Sequence, residues 1–165
     1  MFTVGSLASG QSYHFKMQSR TAAGFSDFSS TVVILAASTP SKPNAPVTIW
    51  SNQNNAVTVT WTEPSSNGTP ILSYTVLIRK SDGLSFATEL TGCNSSNSAL
   101  VTSRQCVIAV ANLVAAPFNL PYGSSIFAKI VATNIKGDSI ESNAGNGAII
   151  VTIPDPPINL VENLS

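Results

Sequence analysis

The chain has 165 residues, eight Lys+Arg against eight Asp+Glu, and a net charge of zero. That balance leaves no basic field to attract a phosphate backbone and no polybasic segment to hold an anionic membrane surface. With 43% hydrophobic residues the chain can build a packed core, and no apolar run is long enough to span a bilayer as a helix.

Alternation of apolar and polar residues dominates from the start. Tyr13, Phe15 and Met17 alternate with His14, Lys16 and Gln18, which reads as a half-buried strand. Pro40, Pro43 and Pro46 follow; without an amide donor and with a fixed φ, proline ends strand pairing and stiffens a connection. After them the spacing predicts strands near 46–50, 56–62, 71–80, 84–90, 104–110, 124–134 and 146–153. Val57, Val59 and Trp61 lead the second, Tyr74, Val76 and Ile78 the third, and Ile126, Ala128, Ile130 and Ala132 the sixth. Asn67-Gly68 and Asp82-Gly83 supply turn chemistry between runs. No stretch of ten or more residues carries a helical stripe. Seven short strands punctuated this way predict an all-β, antiparallel β-sandwich.

The chain also repeats itself at a spacing of 113 residues. Leu7, Gly10, Ser12, Lys16, Gly24, Ser26 and Ser29 recur as Leu120, Gly123, Ser125, Lys129, Gly137, Ser139 and Ser142. A period of this size predicts a tandem array. A second Pro cluster (Pro154, Pro156, Pro157) precedes Ile158-Asn159-Leu160, which resembles a new first strand. The expected division is therefore the last strands of one unit at 1–40, a complete unit at 41–155, and a joint with the start of a third at 156–165.

Several residues together resemble a fibronectin type III domain of the immunoglobulin-like class. They are Pro43 and Pro46, Trp61 followed by Glu63-Pro64, Asn67-Gly68-Thr69-Pro70-Ile71, Tyr74-x-Val76, and Asp82-Gly83. Ala132-x-Asn134-x-x-Gly137-x-Ser139-x-x-Ser142 and the earlier Leu7-x-x-Gly10-x-x-Tyr13 complete the set. The resemblance implies a seven-stranded sandwich, strung in an array on an extracellular or cell-surface protein. Two departures stand out. The family's corner tyrosine is Tyr13 in the first stretch but Ile126 in the complete unit, and extra residues occupy 91–105 and 113–121. No Arg-Gly-Asp tripeptide is present.

That setting implies a disulfide between Cys93 and Cys106, the two cysteines of the chain; two free buried thiols of a cytosolic protein remain the alternative. It also makes Asn67, Asn94 and Asn163, each heading an Asn-x-Ser/Thr sequence, candidate glycan acceptors. Pro70 after its sequon makes Asn67 less favourable than Asn94. Two cysteines without clustered histidine fall short of a zinc site. His14, the single histidine, sits on a polar strand face, and the carboxylates are scattered. No catalytic residue, cofactor or metal is expected. Strand parity places Leu77, Phe127 and Val131 on the outer face of one sheet beside Arg79 and Lys129, a candidate contact face for a protein partner. The expected function is a non-catalytic spacer and interaction module of an adhesion or receptor protein, with neighbouring repeats as its constant partners. A spacer of a secreted enzyme and an intracellular scaffold repeat are the alternatives.

Overall fold

β-Branched residues at every second position form the centre of the molecule. The computed structural model describes residues 3–151 and Ile158. In chain order the elements are β1 (Ser12–Phe15), β2 (Arg20–Thr21), β3 (Gly24–Phe25), β4 (Val32–Leu35), β5 (Val47–Ser51), β6 (Ala56–Thr60), β7 (Ile71–Arg79) and β8 (Phe86–Thr88). They continue with α1 (Ala99–Ser103), β9 (Gln105–Ala109), α2 (Val110–Val114), β10 (Ala128–Asn134) and β11 (Gly137–Asp138). Asn163, the second Pro cluster, and Asn159-Leu160 of the third repeat's expected first strand lie outside the described residues.

Two sheets face each other, one ordered β5-β6-β9 and the other β11-β10-β7-β8. Val57, Val59 and Ile108 point inward from the first, and Tyr74, Val76, Ile78, Ala128, Ile130 and Ala132 from the second, all without solvent exposure. Burying each large aliphatic side chain contributes about 1.5–3 kcal/mol. In the β7–β10 register Tyr74 lies opposite Ala132 and Ile78 opposite Ala128, so small residues make room for large ones across the ladder. The turn after β7 is tied by Asp82, whose carboxylate accepts the Leu84 and Ser85 amides and the Ser85 hydroxyl. Those bonds, the Ser85 hydroxyl foremost, hold its pKa down to about 2.

The structure departs from the expected strands in three places. The strand expected at 84–90 shrinks to β8, with Leu84 and Leu90 turned to solvent. The strand expected at 124–134 begins only at Ala128. The one expected at 146–153 is not continuous in its described part: Ser125 bridges to Ile149 and Ala128 to Gly145. The reason is its position between the two sheets. Its backbone passes so close to β5 that a Cβ on Gly145 would sit 1.7 Å from the Pro46 carbonyl oxygen. Thr48 then joins the sheets with its hydroxyl, donating to the Ile126 carbonyl (3.1 Å) and accepting the Ala148 amide (2.9 Å). The first insertion contains a short helix, α1, and a second short helix, α2, leads into the other insertion. These seat Leu100, Val110 and Leu113 at the core edge.

In the first stretch β1 pairs with β4 and β2 with β3. The repeated serines carry the same bonds in both copies. Ser26 Oγ accepts the Ser19 amide and Ser29 Oγ the Met17 amide. At the same spacing, Ser139 Oγ accepts the Ala132 amide and Ser142 Oγ the Ile130 amide. The repeat signature thus encodes a sheet edge completed by hydroxyls.

Candidate inter-repeat joint and contact face

The Pro-rich connection has few backbone partners of its own, so its carbonyls need donors from elsewhere. Two asparagines provide them. Asn134, 3% exposed at the end of β10, donates from Nδ2 to the Ser38 and Ser66 carbonyls, both at 2.9 Å. Its Oδ1 accepts the Lys136 amide at 2.8 Å. Asn67 donates from Nδ2 to the Thr39 carbonyl (2.8 Å) and the Ser41 hydroxyl (3.2 Å), while its Oδ1 accepts the Ser65 hydroxyl (2.8 Å). A primary amide offers two N–H donors, and both asparagines use both. The main chain adds Ser38 N–H to the Asn67 carbonyl (3.1 Å) and Ser41 N–H to the Ser65 carbonyl (2.9 Å). Lys42 Nζ donates to Asn143 Oδ1 at 2.8 Å. Pro40, Pro43 and Pro46 are buried alongside.

At the centre of this joint two glycines meet. Gly68 has φ +95°, and a Cβ there would lie 2.5 Å from the Gly10 nitrogen and 2.7 Å from the Ala36 carbonyl oxygen. Both the left-handed backbone and the close approach require glycine. The connection between β4 and β5 is therefore a built contact.

On the outer face of the β11-β10-β7-β8 sheet, Leu77, Phe127 and Val131 are half-buried. Cations lie over two aromatic rings at this face. The Arg79 guanidinium lies 3.6 Å from the Phe127 ring centroid, and Lys129 Nζ lies 4.4 Å from that of Phe86. Lys129 also pairs with Glu141 at 2.9 Å. Sequence reasoning missed Phe86, which register places beside Arg79. It also missed the outer face of the other sheet, where Ile49, Thr58 and Val107 align across three strands without a charge.

Cys93 and Cys106 are joined, with S–S 2.02 Å and Cα atoms 5.2 Å apart. Glu89, 1% exposed, shapes the approach to this bridge. Its carboxylate accepts the amides of Thr91 (3.1 Å), Gly92 (2.9 Å) and Cys93 (2.7 Å). Of the sequons, Asn94 is exposed and its Oδ1 accepts the Ser96 amide (2.9 Å), whereas the Asn67 nitrogen is committed to the joint.

No family model matches the sequence. Among solved structures, a crystal structure of a run of titin domains is similar, with a TM-score of 0.53 and 21% identity over 78% of this chain and 37% of that one. The present chain thus spans about a third of the titin structure's length. This is a fibronectin type III-like fold. The titin kinase with its flanking domains (TM-score 0.47, 20% identity, 68% of this chain, 18% of that one) and the twitchin kinase region from C. elegans (0.48, 20%, 68%, 17%) are similar over shorter stretches.

Within the type III-like fold, two of the carboxylates are engaged in ion pairs. Glu63 pairs with Arg104 and Glu141 with Lys129, both at 2.9 Å. His14 is exposed on β1, opposite Val33. Among the described residues no three His, Cys, Asp or Glu side chains gather into a metal site. No helix among them is long and apolar enough to cross a membrane.

Proposed function

We propose that this chain is part of an extracellular fibronectin type III-like array, a non-catalytic spacer and protein-interaction module of a cell-surface adhesion or receptor protein. Residues 41–155 form its complete unit, flanked by the end of one repeat and the start of another. The observation that carries this reading is the joint. Asn67 spends both its donors on the connection, Asn134 ties the connection to the turn at Ser66, and a glycine–glycine contact sets the spacing of the neighbouring segments. Such a device fixes direction along an array, which is what a spacer must do. The disulfide supports an oxidising compartment, and exposed Asn94 suits a glycan. The Leu77/Phe127/Val131 face, with rings already capped by Arg79 and Lys129, is the proposed surface for a protein partner.

Site-resolved amide exchange on the whole chain tests the joint. The Ser38 and Ser41 amides should exchange on the order of tenfold or more slower than in an open chain. Exchange at the open-chain rate would remove the joint from the argument. Free thiols at Cys93 and Cys106 in protein taken from its native cells would favour the intracellular scaffold instead.

A further inference from the structure

Asn67 carries a chemical liability inside the joint, because it precedes Gly68. In an Asn-Gly pair the unhindered glycine nitrogen can attack the asparagine Cγ. The Cγ–Nδ2 bond breaks, ammonia leaves, and a succinimide ring closes. One water molecule then opens the ring to aspartate or isoaspartate, with no oxidant or reductant required. Closure needs a free carboxamide and a mobile Gly68. In the joint, Nδ2 is held by the Thr39 carbonyl and the Ser41 hydroxyl, Oδ1 by the Ser65 hydroxyl, and Gly68 is pressed against Gly10.

We infer that Asn67 is a modification site guarded by the joint, and that its deamidation is an irreversible unlatching of one repeat from the next. The inference rests on the joint reading above. An aspartate at this position has no N–H to give. Its carboxylate would face the Thr39 carbonyl oxygen, now 2.8 Å from Nδ2, with repulsion in place of a bond. Isoaspartate would add a backbone methylene where a single Cβ on Gly68 already finds the Gly10 nitrogen at 2.5 Å. The joint could not close again over either product. The same nitrogen is the one a glycan at this sequon would occupy, so attachment there would compete with closure too.

The unfolded chain supplies the reference, because the second Asn-Gly pair, Asn146-Gly147, is itself constrained: a Cβ on Gly147 would sit 2.4 Å from the Thr48 carbonyl oxygen. Peptide mass analysis follows deamidation of the whole chain aged in mildly alkaline buffer, folded and in guanidinium. Asn67 in the folded protein should react at least about tenfold slower than in guanidinium, the factor for an opening that costs ~1.4 kcal/mol. Removing the carboxamide's hydroxyl partners with Ser41→Ala plus Ser65→Ala should bring the folded rate toward the guanidinium one. In Asn67→Asp, the Ser38 and Ser41 amides should lose protection while the Ser142 amide, bonded to the Ile130 carbonyl at 2.9 Å, keeps it. Equal Asn67 rates in folded and unfolded protein would overturn the guarding. Ser38 and Ser41 protection that survives in Asn67→Asp would overturn the unlatching. If Asn67→Asp also loses Ser142 protection, the serine pair decides: a slow Asn67 rate there rejects the inference. Ser38 and Ser41 unprotected in the unmodified chain would instead bring down the joint reading itself.

Discussion

Tyr74 is fully buried in the core, and its hydroxyl has no hydrogen-bond partner. The Trp61 ring meets it edge-on, with centroids 5.2 Å apart, and the indole N–H is likewise unpartnered. Burial, and next the Glu63 carboxylate, push the Tyr74 pKa up, while the Arg104 charge and the nearby Trp61 indole N–H, too poorly placed for a full hydrogen bond, oppose. An unsatisfied buried hydroxyl costs about 1–3 kcal/mol. Tyr74→Phe should therefore stabilise the protein by about 1 kcal/mol at neutral pH, measured by urea unfolding. The advantage should widen with alkali. Above the ordinary tyrosine pKa of about 10 the unfolded chain releases this proton while the folded one keeps it, so wild-type stability falls as pH rises. A variant less stable than wild type would mean the hydroxyl has a partner, such as a buried water. At this same scale the corner position shows what sequence can and cannot disclose. Ile126 in place of the corner tyrosine is visible from the repeat. Its compensation is not. Tyr13 Oη accepts the Ala8 amide at 2.8 Å, and the residue equivalent to Ala8 is Pro121, which has no amide to give. Acceptor and donor are lost together, so Ile126 packs at 0% exposure and leaves no polar group stranded.

Elements with period two were legible because one face of each is buried. β10 follows the alternation residue by residue, as do residues 57–60 of β6 and 73–79 of β7. The five-residue helices α1 and α2 were not, since one and a half turns leave no stripe to detect. The segment at 145–150 was misjudged because it pairs by bridges and a threonine hydroxyl, with glycines chosen for close approach. The insertion at 91–105 is ordered by two independent devices: the buried Glu89 carboxylate, which fixes residues 91–93, and the disulfide, which ties Cys93 to β9. The bridge closes a loop of about 14 residues, so Cys93→Ala with Cys106→Ala should cost about 3 kcal/mol in the chain-entropy model. Urea unfolding would show it as a lower midpoint. A loss below about 1 kcal/mol would mean that Glu89 alone keeps the loop closed in the unbridged protein.

For the molecule as a whole, the joint is what would make the proposed repeats act as one rod and not as beads. Its proline spacing and the Asn67-Gly68 turn were visible in the sequence, yet Asn134 entered only as one residue of the type III-like motif Ala132-x-Asn134-x-x-Gly137. Its role depends on three segments that meet far from one another in the chain: the connection at Ser38, the turn at Ser66 and the end of β10. Asn134→Asp separates its functions. The oxygen that accepts the Lys136 amide remains, while both donors to the Ser38 and Ser66 carbonyls disappear. Losing both bonds and turning a buried carboxylate toward the Ser38 and Ser66 carbonyl oxygens should weaken this contact by about 3 kcal/mol or more. The expected outcome is local: faster exchange at Ser38 and Ser41, unchanged exchange at Ser139 and Ser142, and slower alignment of the first stretch with the complete unit in solution scattering or residual dipolar couplings. A variant with faster exchange across β10 as well would show that Asn134 holds the sandwich itself together. One with no change at Ser38 would leave Asn67 and the glycine contact as sufficient for the joint. Only the first outcome makes Asn134 a residue that sets direction between repeats, because it alone separates the orientation of the array from the stability of its units.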